Sequence, residues 1–241
     1  VPPINTSSKE NQFVPSNIIA LLRDSIVEEN DDYIALNKPD GIASHGGSGI
    51  SIGVIETIRN FGKSYRDAKL VHRLDKDTSG CQVIAKNNKF LRNCNKLISE
   101  RKVKKTYQAI VHGNWIHKDG IYEINIEKNM LIGKERMVRI SDGGKIAKTF
   151  FKVIESSKHF SLIQCELITG RTHQLRVHLS ELGFPIVGDK KYGIKENKLP
   201  TSSGHKKRMY LHANSFISKD LNIHINVKPP KEFKKILKND E

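Results

Sequence analysis

The stretch that most constrains this chain is residues 72–80, which read HRLDKDTSG. It sets one carboxylate, Asp75, among basic and hydroxyl-bearing neighbours, and a glycine ends it. Aspartate, threonine, serine and glycine together are typical of tight turns, where short polar side chains bind the backbone and glycine relieves steric limits. The pattern predicts a sharply turning loop that presents Asp75 as a candidate reacting group. An isolated aspartate would more often cap a turn or pair with a neighbour such as Lys76.

The chain is strongly basic. Its 241 residues include 41 lysines and arginines against 26 aspartates and glutamates, which gives a formal net charge of +15. This excess favours a polyanionic partner, whether RNA, DNA or an anionic membrane surface, over a neutral small molecule. No apolar run approaches the roughly 18 residues of a spanning helix, and no leader-like apolar stretch opens the chain. We therefore expect a soluble cytoplasmic protein.

The three cysteines, Cys81, Cys94 and Cys165, are odd in number and far apart. This argues against a disulfide framework and against the paired spacing of a zinc site. We expect reduced thiols in the core.

The length allows one large domain or a domain of two lobes. Residues 1–15 are polar and contain three prolines, and apolar residues at 18–22 have the spacing of a short helix. We predict a linker and short helix over residues 1–25 and a compact domain over residues 26–241.

The periodicity of apolar residues predicts a chain rich in strands. Strands are expected over residues 33–39, 81–86, 106–112, 122–126, 137–140, 149–154, 162–167, 210–217 and 222–227. Helices are expected near residues 18–22, from Ser51, over residues 91–99, within residues 170–181, and from the proline pair at 229–230, since proline is tolerated in a first helical turn. Serial strands without intervening helices favour an antiparallel or mixed sheet, and so an α+β fold.

Two further segments carry candidate functional residues. Residues 170–178 read GRTHQLRVH, and residues 105–113 read KTYQAIVHG. Taken alone, an arginine in the first would most often contact phosphate or solvent, and Tyr107 in the second would be a half-buried strand residue. The five-residue separation of His173 and His178 places them on different helix faces, which argues against a metal site.

The three segments together resemble the signature motifs of the RluA-type pseudouridine synthases, which are HRLDxxTSG, GRTHQ(I/L)RVH and K-x-Y-x-A-x-V-x-G. The resemblance extends over roughly residues 26–227. It implies the α+β pseudouridine synthase fold, with a mixed, largely antiparallel bent sheet, flanking helices and a central basic cleft. It also implies isomerisation of uridine to pseudouridine in RNA without a metal or organic cofactor.

The resemblance also implies roles for individual residues. Asp75 would be the catalytic carboxylate, Arg176 its partner, and Tyr107 the ring against the target base. A nearby guanidinium favours the ionised carboxylate and fixes its direction through a rigid set of donors. The residues leave open whether Asp75 attacks C1′ or C6 of the nucleotide or removes the proton at C2′.

A uridine inside a stem cannot react until it is flipped out. The resemblance places Arg73 in the space that the base vacates, although a phosphate contact is an equal alternative. The candidate RNA-binding residues are His72, Arg73, Lys104, Lys105, Arg171 and His173.

Three short stretches point to one branch of the family: residues 36–39 (LNKP), 45–49 (HGGSG) and 53–56 (GVIE). Members of that branch modify several positions of 23S ribosomal RNA and carry an N-terminal S4 RNA-binding domain, and residues 1–3 resemble the segment that follows it. The expected partner is 23S rRNA or the pre-ribosomal large subunit, with no membrane and no obligatory protein partner. The alternatives are a synthase acting on transfer RNA and an inactive assembly factor that binds ribosomal RNA.

Overall fold

The strands of the chain join in one mixed sheet. A computed structural model describes residues 13–47, 52–132, 135–194, 208–238 and 240. The strands are β1 (Ile26–Glu29), β2 (Tyr33–Lys38), β3 (Lys69–Leu70), β4 (Ser79–Ala85), β5 (Lys104–His112), β6 (Gly120–Ile132), β7 (Glu135–Ile140), β8 (Lys145–Ser156), β9 (Phe160–Leu167), β10 (Leu211–Ser218) and β11 (Ile223–Asn226).

The strand order across the sheet is β1-β2-β4-β10-β5-β9-β8-β6-β7, with β3 on β4 and β11 on β10. Among these described strands, β4 and β10 pair in parallel and every other pair is antiparallel. Register shifts interrupt four of the pairings, and such irregularities bend a sheet. The predicted mixed, largely antiparallel sheet is confirmed.

Helices flank the sheet, as predicted. They are α1 (Ser16–Asp24), α2 (Val54–Arg59), α3 (Asn88–Ser99), α4 (Gln174–Glu181) and α5 (Glu232–Lys238), with a short 3₁₀ helix at Lys63–Tyr65. The predicted start at Ser51 lies outside the described residues, and α2 begins at Val54. Helix α5 begins at Glu232 and not at the predicted proline pair. The Phe233 N–H bonds to the Pro230 carbonyl, so Pro230 lies in the turn that leads into the helix.

Apolar side chains form a large core that includes Phe151 and Leu179, and a second core beneath α1 and α2. Leu22 of α1 is fully buried in this second core beside Ile34 and Ile58. The helix that we predicted ahead of residue 26 therefore packs against the domain. All three cysteines are buried and free, which confirms the prediction of core thiols.

The functional motifs converge where β4, β10, β5 and β9 lie side by side. At this point Gly80 has a φ of +108°, and a Cβ added there would lie 2.2 Å from the Ala213 carbonyl oxygen on β10. Only glycine allows the two parallel strands to approach so closely. The glycine that ends residues 72–80 is therefore required by the pairing of β4 with β10.

None of the described helices has the length and apolar character needed to cross a membrane.

Candidate active site

The three motif segments meet around a cleft of about 1020 Å³. Asp75 enters it from the loop before β4, Tyr107 from β5 and Arg176 from α4. The structure thus brings together the three residues that we predicted from the sequence to be catalytic, although they are separated along the chain.

The backbone on both sides of Asp75 is tied to the preceding glycine-rich loop. The hydroxyl of Ser44 donates to the Leu74 carbonyl at 2.7 Å and accepts from the Leu74 N–H at 2.9 Å. The Gly41 N–H donates to the Lys76 carbonyl at 2.9 Å. These contacts hold the backbone on both sides of Asp75 in place, as a positioned catalytic group would require.

Buried Lys38 adds a further link to this loop. Its ammonium donates to three backbone carbonyls, those of Pro39, Ile42 and Lys76. Burial lowers the pKa of Lys38 to about 7, although the charges of Asp40, Asp77 and Asp75 oppose that effect.

Arg176 bridges two carboxylates. Its Nη1 donates to Asp75 Oδ2 at 3.2 Å, while Nε and Nη2 donate to the two oxygens of Asp189 at 2.7 and 2.8 Å. Burial alone would lower the pKa of Arg176, but hydrogen bonds and charge from Asp189, then Asp75, raise it above its usual value. The guanidinium therefore stays charged, with one nitrogen directed at Asp75.

Asp189 is itself fully engaged. It accepts from the backbone N–H groups of Lys191 and Tyr192 as well as from Arg176. Burial alone would raise the pKa of Asp189, but these bonds hold the pKa below its ordinary value of 3.8. Asp189 therefore acts as a fixed anion behind the arginine.

Tyr107 lines the cleft on the side of β5 and is 7% exposed. Burial raises the pKa of its hydroxyl, and the charge of Asp75 raises the pKa further. The ring therefore remains a neutral phenol over the ordinary pH range and presents an apolar surface to the cleft.

His173 is a further neighbour of Asp75 in the cleft. Its Nε2 is 3.9 Å from Asp75 Oδ2, and its Nδ1 is 2.8 Å from the hydroxyl oxygen of Tyr192. Burial lowers the pKa of His173, an effect that the Asp75 charge opposes and the Arg176 charge reinforces.

Arg73 is exposed at the edge of the cleft and donates from Nη1 to His45 Nε2 at 2.9 Å. Because Nε2 of His45 accepts this bond, the neutral ring carries its proton on Nδ1, which lies 2.6 Å from the Gly46 carbonyl. The side chain of Arg73 thus lies against the glycine-rich loop.

His72 is engaged within the protein. Its ring stacks on Phe216, and its Nε2 accepts the Val83 N–H at 3.0 Å. Burial, followed by the charge of Lys105, lowers the pKa of His72 to about 3, so the ring is neutral. Since Nε2 is already occupied, an RNA contact by His72 stays a prediction without support from this geometry.

The remaining candidate RNA-binding residues, Lys104, Lys105 and Arg171, all line the cleft. Lys104 pairs with Glu166 at 2.6 Å. Burial lowers the pKa of Lys105, and Arg171 is exposed. Three basic side chains in the lining of one cleft are compatible with contacts to the phosphate backbone of RNA.

Sequence reasoning missed the supporting residues Asp189, Tyr192, Ser44 and His45. Asp189 and Tyr192 lie in residues 188–193, GDKKYG, which match the family pattern without suggesting a role. His45 begins the glycine-rich residues 45–49, which pointed to a branch of the family but suggested no contact for His45 or for Ser44 before it. Both segments could be recognised in the sequence. Their contacts could not, because Asp189 and Ser44 bind residues more than ten positions away along the chain.

Comparison with known proteins identifies the family. A sequence model of the family described as RNA pseudouridylate synthase matches residues 32–181. The chain is 41% identical over 217 residues to ribosomal large subunit pseudouridine synthase C of Salmonella typhi. This alignment covers 88% of this chain and 68% of that protein. The protein of the same name from Escherichia coli K12 is 40% identical to this chain, and the alignment again covers 88% of this chain and 68% of that protein.

Solved structures give the same result. Human RNA Pseudouridylate Synthase Domain Containing 4 superposes with a TM-score of 0.74 at 26% identity, over 92% of this chain and 95% of that one. Human RNA Pseudouridylate Synthase Domain Containing 1 gives a TM-score of 0.69 at 28% identity, over 87% of this chain and 84% of that one. With its motifs assembled in one cleft, the chain belongs to the RNA pseudouridylate synthase family of isomerases.

Proposed function

We propose that this synthase isomerises specific uridines of 23S ribosomal RNA to pseudouridine, with Asp75 as the reacting group and no cofactor. The ribosomal substrate is supported by the relatives named ribosomal large subunit pseudouridine synthase C. The net charge of +15 suits a polyanionic substrate.

The observation that carries this proposal is the contact of Arg176 with Asp75 at 3.2 Å inside an open cleft. The Asp75 side chain is 28% exposed, so a substrate can reach it, whereas Arg176 is 6% exposed and acts from behind. A carboxylate held in this way can react without a metal or organic group.

The isomerisation conserves the atoms of the nucleotide. The N1–C1′ bond breaks, the uracil turns, and a C5–C1′ bond forms, while C5 loses a proton and N1 gains one. Asp75 begins the sequence by attacking C1′ or C6, or by removing the C2′ proton. Because the free uracil must not leave between the two steps, a surface that holds it is required, and we assign this to the ring of Tyr107.

The target base has to leave its stack to reach Asp75, and this costs a few kcal/mol. Phosphate contacts by Lys104, Lys105 and Arg171 at the cleft mouth would offset the cost. Arg73, exposed at the edge, either fills the space left by the base or anchors an adjacent phosphate.

The test is tritium release from 23S RNA labelled at C5 of uridine, comparing the wild type with Asp75→Ala and Asp75→Asn. Both variants should lose release completely, while Asp67→Ala, an exposed aspartate outside the cleft, should match the wild type. Equal release by the wild type and Asp75→Ala would refute the assignment of Asp75.

Site-resolved pseudouridine mapping in a deletion strain tests the substrate. We expect pseudouridine to disappear at a small set of positions in 23S rRNA and to return when the gene is restored. Loss confined to transfer RNA would establish the transfer RNA alternative. Unchanged pseudouridine in both RNAs would favour the inactive assembly factor.

A further inference from the structure

His173 has a backbone conformation that few side chains adopt. It lies immediately before α4 with φ +52° and ψ +21°, in the left-handed region. Residues other than glycine occupy this region at a steric cost and keep it where the surroundings enforce it, often at functional sites. Here the conformation places the imidazole in the cleft beside Asp75.

The contacts on the two sides of the ring determine which nitrogen carries the proton. The Tyr192 hydroxyl oxygen already accepts the Val138 N–H at 3.0 Å, which leaves its own proton free to be donated to His173 Nδ1 at 2.8 Å. On the other side, Nε2 faces the negative charge of Asp75. A neutral imidazole has one ring proton, and an anion attracts it, so these contacts favour the tautomer protonated at Nε2.

Asp75 does not accept a hydrogen bond from this N–H. The separation of 3.9 Å exceeds the length of a hydrogen bond, and Arg176 Nη1 already donates to the same carboxylate oxygen at 3.2 Å. The His173 side chain is 16% exposed to the cleft. A donor is therefore held beside Asp75, in the lining of the cleft, with a proton that Asp75 does not accept.

We propose that His173, protonated at Nε2, donates a hydrogen bond to a carbonyl oxygen of the uracil beside Asp75, and that Tyr192 fixes this tautomer. The inference deepens the proposed function and rests on it. When the N1–C1′ bond breaks, its electron pair passes to the uracil and negative charge gathers on the carbonyl oxygens. A fixed donor at that position stabilises this charge, and the neutral ring transfers no proton.

The tautomer can be measured without any substrate. Long-range ¹⁵N–¹H spectra of the full chain labelled on its histidines should show His173 protonated at Nε2, with the signal assigned by its loss in His173→Gln. Tyr192→Phe removes the hydroxyl donor and should introduce the form protonated at Nδ1. A wild-type ring protonated at Nδ1, or a tautomer that Tyr192→Phe leaves unchanged, would overturn the proposal.

Single-turnover rates on C5-tritiated 23S RNA test the donor itself. His173→Phe keeps a ring but has no donor, and we expect its rate to fall about 10²-fold with RNA affinity retained, as for loss of one preorganised donor. His173→Gln restores an N–H donor and should recover part of the rate. His224→Gln, an exposed histidine on β11 outside the cleft, is the matched control and should behave as the wild type.

The two proposals fail in different ways. If Asp75→Ala abolishes turnover while His173→Phe reacts at the wild-type rate, the role of His173 is refuted and the proposed function stands. If Asp75→Ala reacts as the wild type does, the proposed function fails, and the role given to His173 fails with it. A fall in RNA affinity without a fall in rate for His173→Phe would reduce His173 to a binding residue and also overturn the inference.

Discussion

Asp189 accepts two hydrogen bonds from the guanidinium of Arg176, from Nε at 2.7 Å and from Nη2 at 2.8 Å. The more distant third contact, from Nη1 to Asp75 at 3.2 Å, is the one that faces the cleft. The Asp189 side chain is 1% exposed and cannot meet the RNA. One carboxylate thus orients the cation, and the other is left accessible for chemistry.

Replacing Arg176 with lysine should separate orientation from charge. An ammonium group keeps the positive charge but lacks the rigid set of donors that spans Asp75 and Asp189. We expect single-turnover rates for Arg176→Lys to fall about 10²-fold while RNA affinity stays close to that of the wild type. Filter binding and tritium release on the same RNA measure both quantities, and an unaltered rate would contradict the role of the donor geometry.

Asp189→Asn should affect both stability and turnover. The substitution keeps the shape but leaves the buried Arg176 charge without its main partner, a loss that typically costs about 3–5 kcal/mol. We expect the free energy of unfolding in urea to fall by an amount of that order, and turnover to fall more than RNA affinity. Asp67→Asn, at an exposed position, is the control. A variant with wild-type stability and rate would show that Asp189 does not position Arg176.

Two buried histidines, His178 and His212, and the half-buried His72 should make the domain sensitive to mild acid. Burial lowers the pKa of His72 to about 3 and the pKa of His178 and His212 to about 4, against an ordinary value of 6.5. Above pH 6.5 these rings are neutral in both the folded and the unfolded chain. Below pH 6.5 the unfolded chain binds protons first, so stability falls until the pH reaches the folded-state pKa.

The loss amounts to at most about 1.4 kcal/mol per pH unit for each histidine. Urea unfolding at pH 7 and pH 5 should therefore show a drop of a few kcal/mol. His178→Phe, which removes a buried imidazole packed against Phe151, should weaken this pH dependence, and His224→Gln should not. Equal unfolding free energies at the two pH values would contradict the prediction.

Arg171 provides a test of the cleft as the RNA-binding surface. It is exposed and lines the cleft, so a phosphate contact there contributes one released counterion. Arg171→Gln should reduce the slope of log affinity against log salt by about 1. Lys235→Gln on α5, whose apolar face is buried in the core, should leave the slope unchanged. An identical slope for the two variants would place the RNA elsewhere.

Local features of the fold followed from neighbouring residues. The strand pattern, the turn after Asp75 and helix α3, whose first turn is capped by Asn87, depend on groups a few residues apart. Strand lengths were less predictable. Strand β8 runs over Lys145–Ser156, beyond the predicted residues 149–154, because its backbone pairing with β6 continues back to Lys145 and its pairing with β9 continues to Ser156.

The sequence by itself determined the family and the strand-rich architecture, and it named Asp75, Tyr107 and Arg176 as candidates for catalysis, because short motifs specify local conformation and residue type. Only the tertiary structure decided how these residues are supported. Arg176 lies 13 residues from Asp189 and 101 from Asp75, and its simultaneous contact with both depends on how α4 packs against the loop before β4. Such a contact depends on the packing of the whole domain and cannot be predicted from residue spacing.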